Sequence, residues 1–250
     1  IAKTRKISVL ARACAIFKID TIYVYQEGNK KTDPGLMIMI LKYLETPQFL
    51  RRRLFPKMND LKFAGVLHPL RIPSHVTPVN SKKIKAGDIR EGIVVSSKGK
   101  KFVDVGINQL IQYYGNTTTG KRVTVKFKEG YPRLSVKDID KSEVPSYWGY
   151  SVKERANLFS VLSEWKGNII ITSRKGKPVS SEQLSKYTKS DEHTLVVFGS
   201  PERGVHEIIG GRMNKVQNAK SLNFFPNQAT ETVRLEEALL GTLAIINANN

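Results

Sequence analysis

Two polar loops near the end of the chain carry the residue types best suited to bind a small ligand. Residues 199–204 (Gly-Ser-Pro-Glu-Arg-Gly) follow an apolar strand predicted at 194–198, and residues 225–237 join another predicted strand to the last helix. Ligands of parallel α/β sheets bind beyond the carboxyl ends of the strands. Backbone amides of two such loops could hold an adenine and a ribose by hydrogen bonds. For the first loop a structural alternative exists, because Ser200 followed by Pro201 is also typical of a helix N-terminus.

Motifs for other chemistries are absent from the sequence. It contains no GxGxxG, P-loop or HExxH pattern. The four histidines (His68, His75, His193 and His206) show no metal-ligand spacing. The single cysteine, Cys14, lies in an apolar stretch, where we expect a buried thiol rather than a nucleophile. We therefore predict no metal site and no internal disulfide.

The charge of the chain points to a polyanionic partner. Its 250 residues include 41 Lys and Arg against 22 Asp and Glu, a net charge of +19. Residues 1–142 hold 28 basic and 11 acidic side chains, whereas residues 143–250 hold 13 and 11. A strongly basic region attracts nucleic acid. No apolar run is long enough to span a bilayer and no signal peptide is recognisable, so we expect a soluble cytoplasmic protein.

The elements that position the two loops alternate between helix and strand. Apolar residues at helical spacing predict helices, and short β-branched or aromatic runs predict strands. Helices are predicted at 2–18, 34–46, 49–55, 151–165 (opened by a capping box at 151–154), 181–187 and 232–246, and strands at 21–25, 62–67, 168–172, 194–198 and 221–225. This alternation predicts an α/β fold with a parallel sheet.

A segment of different character interrupts this pattern. It contains five short runs rich in Val, Ile and Phe, separated by glycines, at residues 90–95, 101–105, 109–114, 122–127 and 133–136. Such spacing predicts a small OB-like β-barrel, a fold that commonly binds single-stranded nucleic acid through basic and aromatic side chains. The candidate aromatics are Phe102, Tyr113, Tyr114, Phe127 and Tyr131, although most aromatics of a small barrel belong to its core. We predict an α/β domain of residues 1–75 and 146–250 with an inserted barrel at 76–145.

The sequence resembles the trefoil-knotted SPOUT class of RNA methyltransferases. The resemblance lies in strand 194–198 with its loop, in residues 226–228 (Pro-Asn-Gln) and in residues 232–238 (Thr-Val-Arg-Leu-Glu-Glu-Ala). It is to the branch in which an OB-like domain interrupts the knotted α/β domain. Segments 11–17, 42–48, 63–65, 70–73, 90–95 and 147–150 extend it over nearly the whole chain. In that branch a strand and loop precede residues 11–17, and a chain that begins with Ile1 is expected to lack them.

The resemblance implies S-adenosylmethionine as cofactor, a deep knot and a homodimer whose substrate pocket draws on both subunits. Applied to this sequence, it implies these cofactor-binding residues: Phe198, Gly199, Ser200, Gly204, Phe225, Pro226, Gln228, Thr230, Thr232 and Val233. Asn227 and Ala229 depart from the family, since relatives often carry Gly at these positions. If a positive φ is needed there, Asn227 tolerates it better than Ala229.

Methyl transfer from a sulfonium needs no metal, only alignment and stabilisation of the charge that the base develops. A pyrimidine ring nitrogen must lose its proton to attack, and a guanidinium could stabilise the anion. Arg234 is the first catalytic candidate and Arg71 the next, followed by Arg12, with phosphate contact or structural pairing open for each. The predicted RNA-binding residues are Arg12, Arg51, Arg52, Arg53, Lys100, Lys101 and Arg122.

The sequence thus predicts an S-adenosylmethionine-dependent RNA methyltransferase, with a uridine-type ring nitrogen of ribosomal RNA as the favoured target. An unpaired or extruded base is expected, because the reactive edge is hidden in a duplex. A non-catalytic RNA-binding or ribosome-assembly factor on a knotted scaffold is the alternative. A methyltransferase acting on small molecules would have no use for the basic first 142 residues.

Overall fold

The computed structural model describes residues 2–27, 32–76 and 80–249. In chain order its main elements are α1 (Ala2–Ile16), β1 (Thr21–Tyr25), α2 (Thr32–Glu45), α3 (Gln48–Leu54), β2 (Ile89–Ser97), β3 (Lys100–Asp104), β4 (Ile111–Gln112), β5 (Arg122–Glu129), β6 (Ser135–Asp138), β7 (Ser151–Arg155), α4 (Leu158–Glu164), β8 (Asn168–Pro178), α5 (Ser181–Thr188), β9 (Thr194–Val197), α6 (Val205–Ile209), β10 (Ala219–Asn223) and α7 (Leu235–Asn247). Mixed α/β architecture is therefore confirmed.

The chain divides into two compact units, residues 1–41 with 151–250 and residues 42–150. Residues 42–75, which were predicted to belong to the α/β domain, fall in the second unit. The predicted domain boundaries at 76 and 145 stay a prediction, and residues 77–79 beside the first of them lie outside the described residues.

A parallel sheet of order β10-β8-β9 is the centre of the first unit. Alternate residues of β8 face opposite sides, as in any strand. Ile169 and Ile171 pack with the side chains of α4 and α6, while Ile170 packs with those of α5 and α7. All three isoleucines are fully buried, so the sheet is covered by helices on both faces. Continuous apolar runs of this kind are typical of parallel strands.

The second unit contains a curled antiparallel sheet, a half-barrel of order β4-β3-β2-β5-β6. Its inner face holds a core that includes Val94, Val103 and Phe127, all buried. The two edge strands lie close together at one end: the Tyr113 hydroxyl, just after β4, donates a 2.6 Å hydrogen bond to Asp138 at the end of β6. The five strands that the sequence predicted here are all present, although β4 is only two residues long.

Two predicted elements were wrong. The predicted strand at 62–67 is instead a pair of short 3-10 turns, Asn59–Leu61 and Ala64–Val66, whose backbone bonds are local. Gly65 within the segment weakens a strand. The predicted capping box at 151–154 is strand β7, which pairs in parallel with β1. Helix α4 begins later, where Asn157 accepts a 2.9 Å hydrogen bond from the Ser160 amide.

Candidate active site

Three loops of the first unit meet at one edge of the parallel sheet, because carboxyl ends of parallel strands share an edge. Residues 198–204 follow β9 and residues 224–234 follow β10. The third segment interrupts the central strand β8: Ser221 of β10 pairs with Ile171, whereas the next residue of β10, Leu222, pairs with Lys177. A Cβ at Gly176 would lie 2.8 Å from backbone atoms of Leu222, so this segment approaches β10 so closely that only glycine fits. Residues 172–176 therefore lie between the two predicted cofactor loops.

The loop after β9 is a tight turn. The Ser200 amide donates to the Arg203 carbonyl at 2.9 Å, and the Arg203 amide donates to the Ser200 hydroxyl at 3.1 Å. A Cβ at Gly199 would come within 2.6 Å of the Arg203 carbonyl oxygen, which accounts for glycine there. Ser200 thus closes the turn, and Gly204 is the N-cap residue of α6. Helix α6 itself was not predicted.

Two hydroxyl groups hold the end of β9 in place. Thr172 donates a 2.9 Å hydrogen bond to the Val197 carbonyl. Tyr25, at the end of β1, donates a 3.0 Å hydrogen bond to the Phe198 carbonyl. Burial of the phenol, with a smaller contribution from the charge of Glu27, raises the pKa of Tyr25 to about 12. The phenol therefore remains a hydrogen-bond donor throughout the physiological pH range.

The loop after β10 begins with an aromatic anchor. The Phe225 ring packs against Gly241 of α7, where an added Cβ would lie 2.6 Å from the ring. The Phe225 amide donates a 2.9 Å hydrogen bond to the Asn223 side chain. Asn227 has a φ of 59°, whereas Ala229 is not among the described residues with positive φ. The residue with the better tolerance for a left-handed backbone is the one that adopts it.

Arg174 braces the same loop from the middle of β8. Its guanidinium donates a 2.7 Å hydrogen bond to the Glu231 carbonyl, and its own carbonyl accepts one from the Asn223 amide group at 3.0 Å. The Gln228 amide group donates to the Thr230 carbonyl at 2.9 Å and to the Glu231 carbonyl at 3.3 Å. Gln228 therefore shapes the loop through its side chain.

The remaining polar groups of this loop are available for a ligand. Within the described part of the chain, the backbone amides of residues 227–233 donate no hydrogen bond. Thr230 and Thr232 are exposed, as is Pro226, while Val233 is half-buried. These free donors, together with the neighbouring carbonyls, could pair with the polar edge of a purine.

Arg234 lies where this loop ends and α7 begins. Its backbone amide donates to the Glu237 carboxylate at 3.0 Å, which fixes the first turn of α7. Its side chain is exposed, and the guanidinium has no partner among the described residues. The backbone of Arg234 is therefore held in place, while its cationic side chain is free to contact a substrate. Arg71 is exposed in the second unit with a φ of 53°, and Arg12 is half-buried on α1.

The predicted RNA-binding cations have different surroundings. Arg52, Lys100 and Lys101 are exposed. Arg53 pairs with Asp104 at 3.2 Å while half of its side chain remains exposed. Arg51 instead donates to the carbonyls of Thr46 (2.9 Å) and Leu44 (3.2 Å) near the end of α2, and burial lowers the pKa of its guanidinium.

Arg122 is the least accessible of these cations. It donates two hydrogen bonds to the Glu45 carboxylate, at 2.6 and 3.1 Å, and another to Glu91. The side chain of Glu91 is 1% exposed and also accepts from Thr124 and Trp148. Burial alone lowers the pKa of the Arg122 guanidinium, but the two carboxylates raise it above its ordinary value. The Arg122 guanidinium therefore uses its donors on carboxylates inside the second unit.

The described residues contain no group of three or more His, Cys, Asp or Glu side chains placed to hold a metal ion. Nor does any helix among them have the length and apolar character needed to cross a bilayer. Cys14 is buried, and burial raises the pKa of its thiol to about 12.

Comparison with known proteins decides the class of enzyme. A family model described as "Putative RNA methyltransferase" matches residues 1–246. The chain belongs to this RNA methyltransferase family. It is similar to an uncharacterized protein of Halobacterium salinarum, with 33% identity over 96% of this chain and 90% of that protein. It is also similar to human and mouse proteins named 28S rRNA (uridine-N(3))-methyltransferase, each 32% identical over 95% of this chain and covering 70% and 69% of those proteins.

Membership of this family confirms the prediction of a methyltransferase enzyme. Three residues that position the loops were not predicted: Tyr25, Thr172 and Arg174. The only available signal was the position of Thr172 and Arg174 after an apolar strand, a location that α/β folds use for ligands. Nothing local to Tyr25 indicated its contact with Phe198, which is 173 positions away.

Proposed function

We propose that this methyltransferase transfers the methyl group of S-adenosylmethionine to N3 of a uridine in ribosomal RNA. The observation that carries the proposal is the likeness, over 95% of the chain, to the human and mouse proteins named as uridine-N3 methyltransferases of 28S rRNA. The basic residues 1–142 suit an RNA substrate.

The cofactor fits the loops of the first unit. A purine carries hydrogen-bond donors and acceptors side by side on its edge, and the free amides of residues 227–233 offer complementary groups. The turn at 199–204 would contribute Phe198, Gly199, Ser200 and Gly204. The loop after β10 would contribute Phe225, Pro226, Gln228, Thr230, Thr232 and Val233. When bound, S-adenosylmethionine supplies an electrophilic methyl group on sulfur.

Arg234 is the residue that we assign to the chemistry. Attack by N3 requires that the uridine first lose its N3 proton to solvent or a base, which leaves an anion shared with the two carbonyl oxygens. The N–C bond then forms as the S–C bond breaks, so the products are 3-methyluridine and S-adenosylhomocysteine. An exposed, unpaired guanidinium beside the cofactor loop would stabilise that anion. Arg71 is the second candidate for this task.

The architecture that we propose is the SPOUT class with its trefoil knot. The register shift of β8 at residues 172–176, the close approach of Gly176 to β10, and the packing of Phe225 on α7 support this proposal. Knots are rare, and this one would fold the two cofactor loops around their ligand. We further propose that the half-barrel is an OB-like domain and that two copies of the chain form a dimer through the knot.

RNA would lie against the exposed cations and aromatic rings of the half-barrel. Lys100 and Lys101 are exposed on β3, and Tyr114, which follows β4, is 81% exposed. Exposed aromatic rings beside lysines form stacking platforms for single strands. Arg52 and Arg53 would add phosphate contacts. Arg12 stays a candidate, whereas Arg51 and Arg122 use their donors within the second unit.

The test combines calorimetry with mapping of modified nucleotides. The wild-type chain should bind S-adenosylmethionine and form 3-methyluridine in ribosomal RNA, detected by mass spectrometry. Arg234→Gln should reduce turnover by about 100-fold, the usual loss when one preorganised donor to a developing anion is removed, and should keep cofactor affinity. Lys215→Ala, an exposed cation outside the three loops, is the matched control. Absence of cofactor binding, or full activity of Arg234→Gln, would refute the proposal.

A further inference from the structure

A pocket in the second unit lies outside every residue assigned so far. It is a cavity of about 390 Å³ between the end of α2 and the 3-10 turns that follow α3. Tyr43, Phe55 and Met58 form its apolar walls, and Lys57, Asn59 and Lys62 lie at its rim. We call it the Tyr43–Phe55 pocket. Its volume is in the range of sites that hold small organic ligands.

The walls are shaped by an aromatic pair. Tyr43 and Phe55 meet edge to face, with ring centroids 5.4 Å apart and planes at 78°. The Arg51 guanidinium lies over the Tyr43 ring at 4.6 Å and is itself bonded to backbone carbonyls, so it fixes the ring from the protein side. Met58 is 37% exposed, although it is a large apolar side chain. A rigid aromatic corner with an adaptable thioether suits a flat apolar ring.

The rim of the pocket is cationic. Lys57 and Lys62, which both line the cavity, are exposed. The Lys62 ammonium lies 5.0 Å from the centre of the Phe63 ring, whereas Lys57 and Asn59 have no side-chain partner among the described residues. Asp60 is the acidic residue of the first 3-10 turn and does not line the cavity. A ligand that combines a flat ring with a negative charge therefore matches both parts of the pocket.

We propose that the Tyr43–Phe55 pocket holds an unpaired base of the RNA substrate and that Lys57 binds the adjacent phosphate. The proposal rests on the proposed function, because it takes RNA as the substrate. A base inserted against Tyr43, Phe55 and Met58 buries its faces, while Asn59 offers an amide to the polar edge of the base. An apolar partner segment would have no use for the two lysines that line the opening, Lys57 and Lys62.

Photochemical cross-linking tests the occupant directly. The full chain is irradiated with a uridine oligomer of about twelve nucleotides that contains 4-thiouridine, and the cross-linked residues are mapped by mass spectrometry. We expect cross-links to Tyr43, Phe55 or Met58. Cross-links confined to the half-barrel or to the cofactor loops, or none at all, would overturn the proposal.

Two substitutions measure the energetic role of the pocket with the same oligomer. Met58→Glu places a carboxylate at an exposed wall position and should weaken RNA binding about tenfold, the scale of one lost base contact. Lys57→Ala should lower the slope of log affinity against log salt by about 0.7, the value for one phosphate contact on a single strand. Lys83→Ala, an exposed lysine outside the pocket, is the control.

Unchanged affinity for Met58→Glu together with an unchanged salt slope for Lys57→Ala would also overturn the proposal. Melting curves followed by circular dichroism verify that both variants are folded. Failure of the proposed function has a different signature, because a wild-type chain that does not bind S-adenosylmethionine or form 3-methyluridine contradicts it whatever the cross-links show.

Discussion

Arg122→Met separates a structural role for this arginine from a role in RNA binding. Methionine has a similar length but no charge, so the substitution removes three hydrogen bonds and the cation between Glu45 and Glu91. The side chains of these carboxylates are 7% and 1% exposed, and water therefore cannot solvate them. Removing one partner of a buried ion pair costs about 3–5 kcal/mol, mainly because the other charge stays buried.

The expected loss in the free energy of unfolding lies near the lower end of that range, because both carboxylates keep other partners. Lys141 remains 3.2 Å from Glu45, and Glu91 keeps two neutral donors, Thr124 and Trp148. We therefore expect a loss of about 3 kcal/mol in the free energy of unfolding, a large part of the 5–15 kcal/mol typical of a domain. Urea unfolding followed by circular dichroism measures it.

Two controls make the result decisive. Glu91→Gln combined with Arg122→Met should recover part of the stability, because the stranded charge is removed. The salt dependence of RNA binding by folded Arg122→Met should match that of the wild type. If the variant is as stable as the wild type and its salt slope falls by about 0.7–0.9, Arg122 is a phosphate contact and the structural reasoning is wrong.

Three further predictions follow from single contacts. Gly241→Ala should weaken S-adenosylmethionine binding, measured by calorimetry. The new Cβ would lie 2.6 Å from the Phe225 ring and must displace the ring by about 1 Å to reach van der Waals distance. Unchanged affinity would mean that the ring does not position the loop. Burial lowers the pKa of His75, so the unfolded state takes up the proton first and wild-type stability should decrease as pH falls below about 6.5. Urea titrations at pH 7.5 and 5.5 should show a smaller decrease for His75→Gln, and an equal decrease would contradict the assignment. Tyr25→Phe leaves the Phe198 carbonyl without its donor and should cost about 1 kcal/mol in thermal unfolding, with weaker cofactor binding; no change in either would show that the contact is dispensable.

Most of the regular elements were predictable from the local pattern of apolar residues. The strand at Thr21–Tyr25 and the five runs of the half-barrel were found because β-branched residues and glycine turns mark strands locally. The segment at 151–154 failed for the opposite reason. Its Ser-x-x-Glu pattern is typical of a helix start, but pairing with β1, 130 positions earlier in the chain, determines its conformation.

The two loops of the candidate site were predictable from the sequence, but the contacts that hold them in place were not. The loops were visible because small and polar residues follow apolar strands. Of the two departures from the family, Asn227 and Ala229, Asn227 is the one that has a positive φ. For Thr172 and Arg174 the sequence offered only their position at or just after the end of the strand predicted at 168–172, which does not indicate the groups that they hold. Their function depends on the jump in register at Ser221, which no local pattern encodes. The sequence therefore shows what a ligand would meet, while the contacts that hold those groups in place arise from the topology.

The net charge of the chain does not show which of its cations are free to contact RNA. Arg51, Arg122 and Lys141 contribute to the +19 of the chain as fully as Lys100 does. Yet Arg51 and Arg122 are paired with carbonyls or carboxylates inside the second unit, and the partly exposed Lys141 pairs with the buried carboxylate of Glu45. Counterion release depends on cations that reach phosphate, not on the formal charge. RNA affinity should therefore respond to Lys57 and Lys100 and be insensitive to the buried arginines, as long as the fold is intact. An RNA-binding surface is thus defined by the unpaired cations, and the buried ones maintain the unit that presents them.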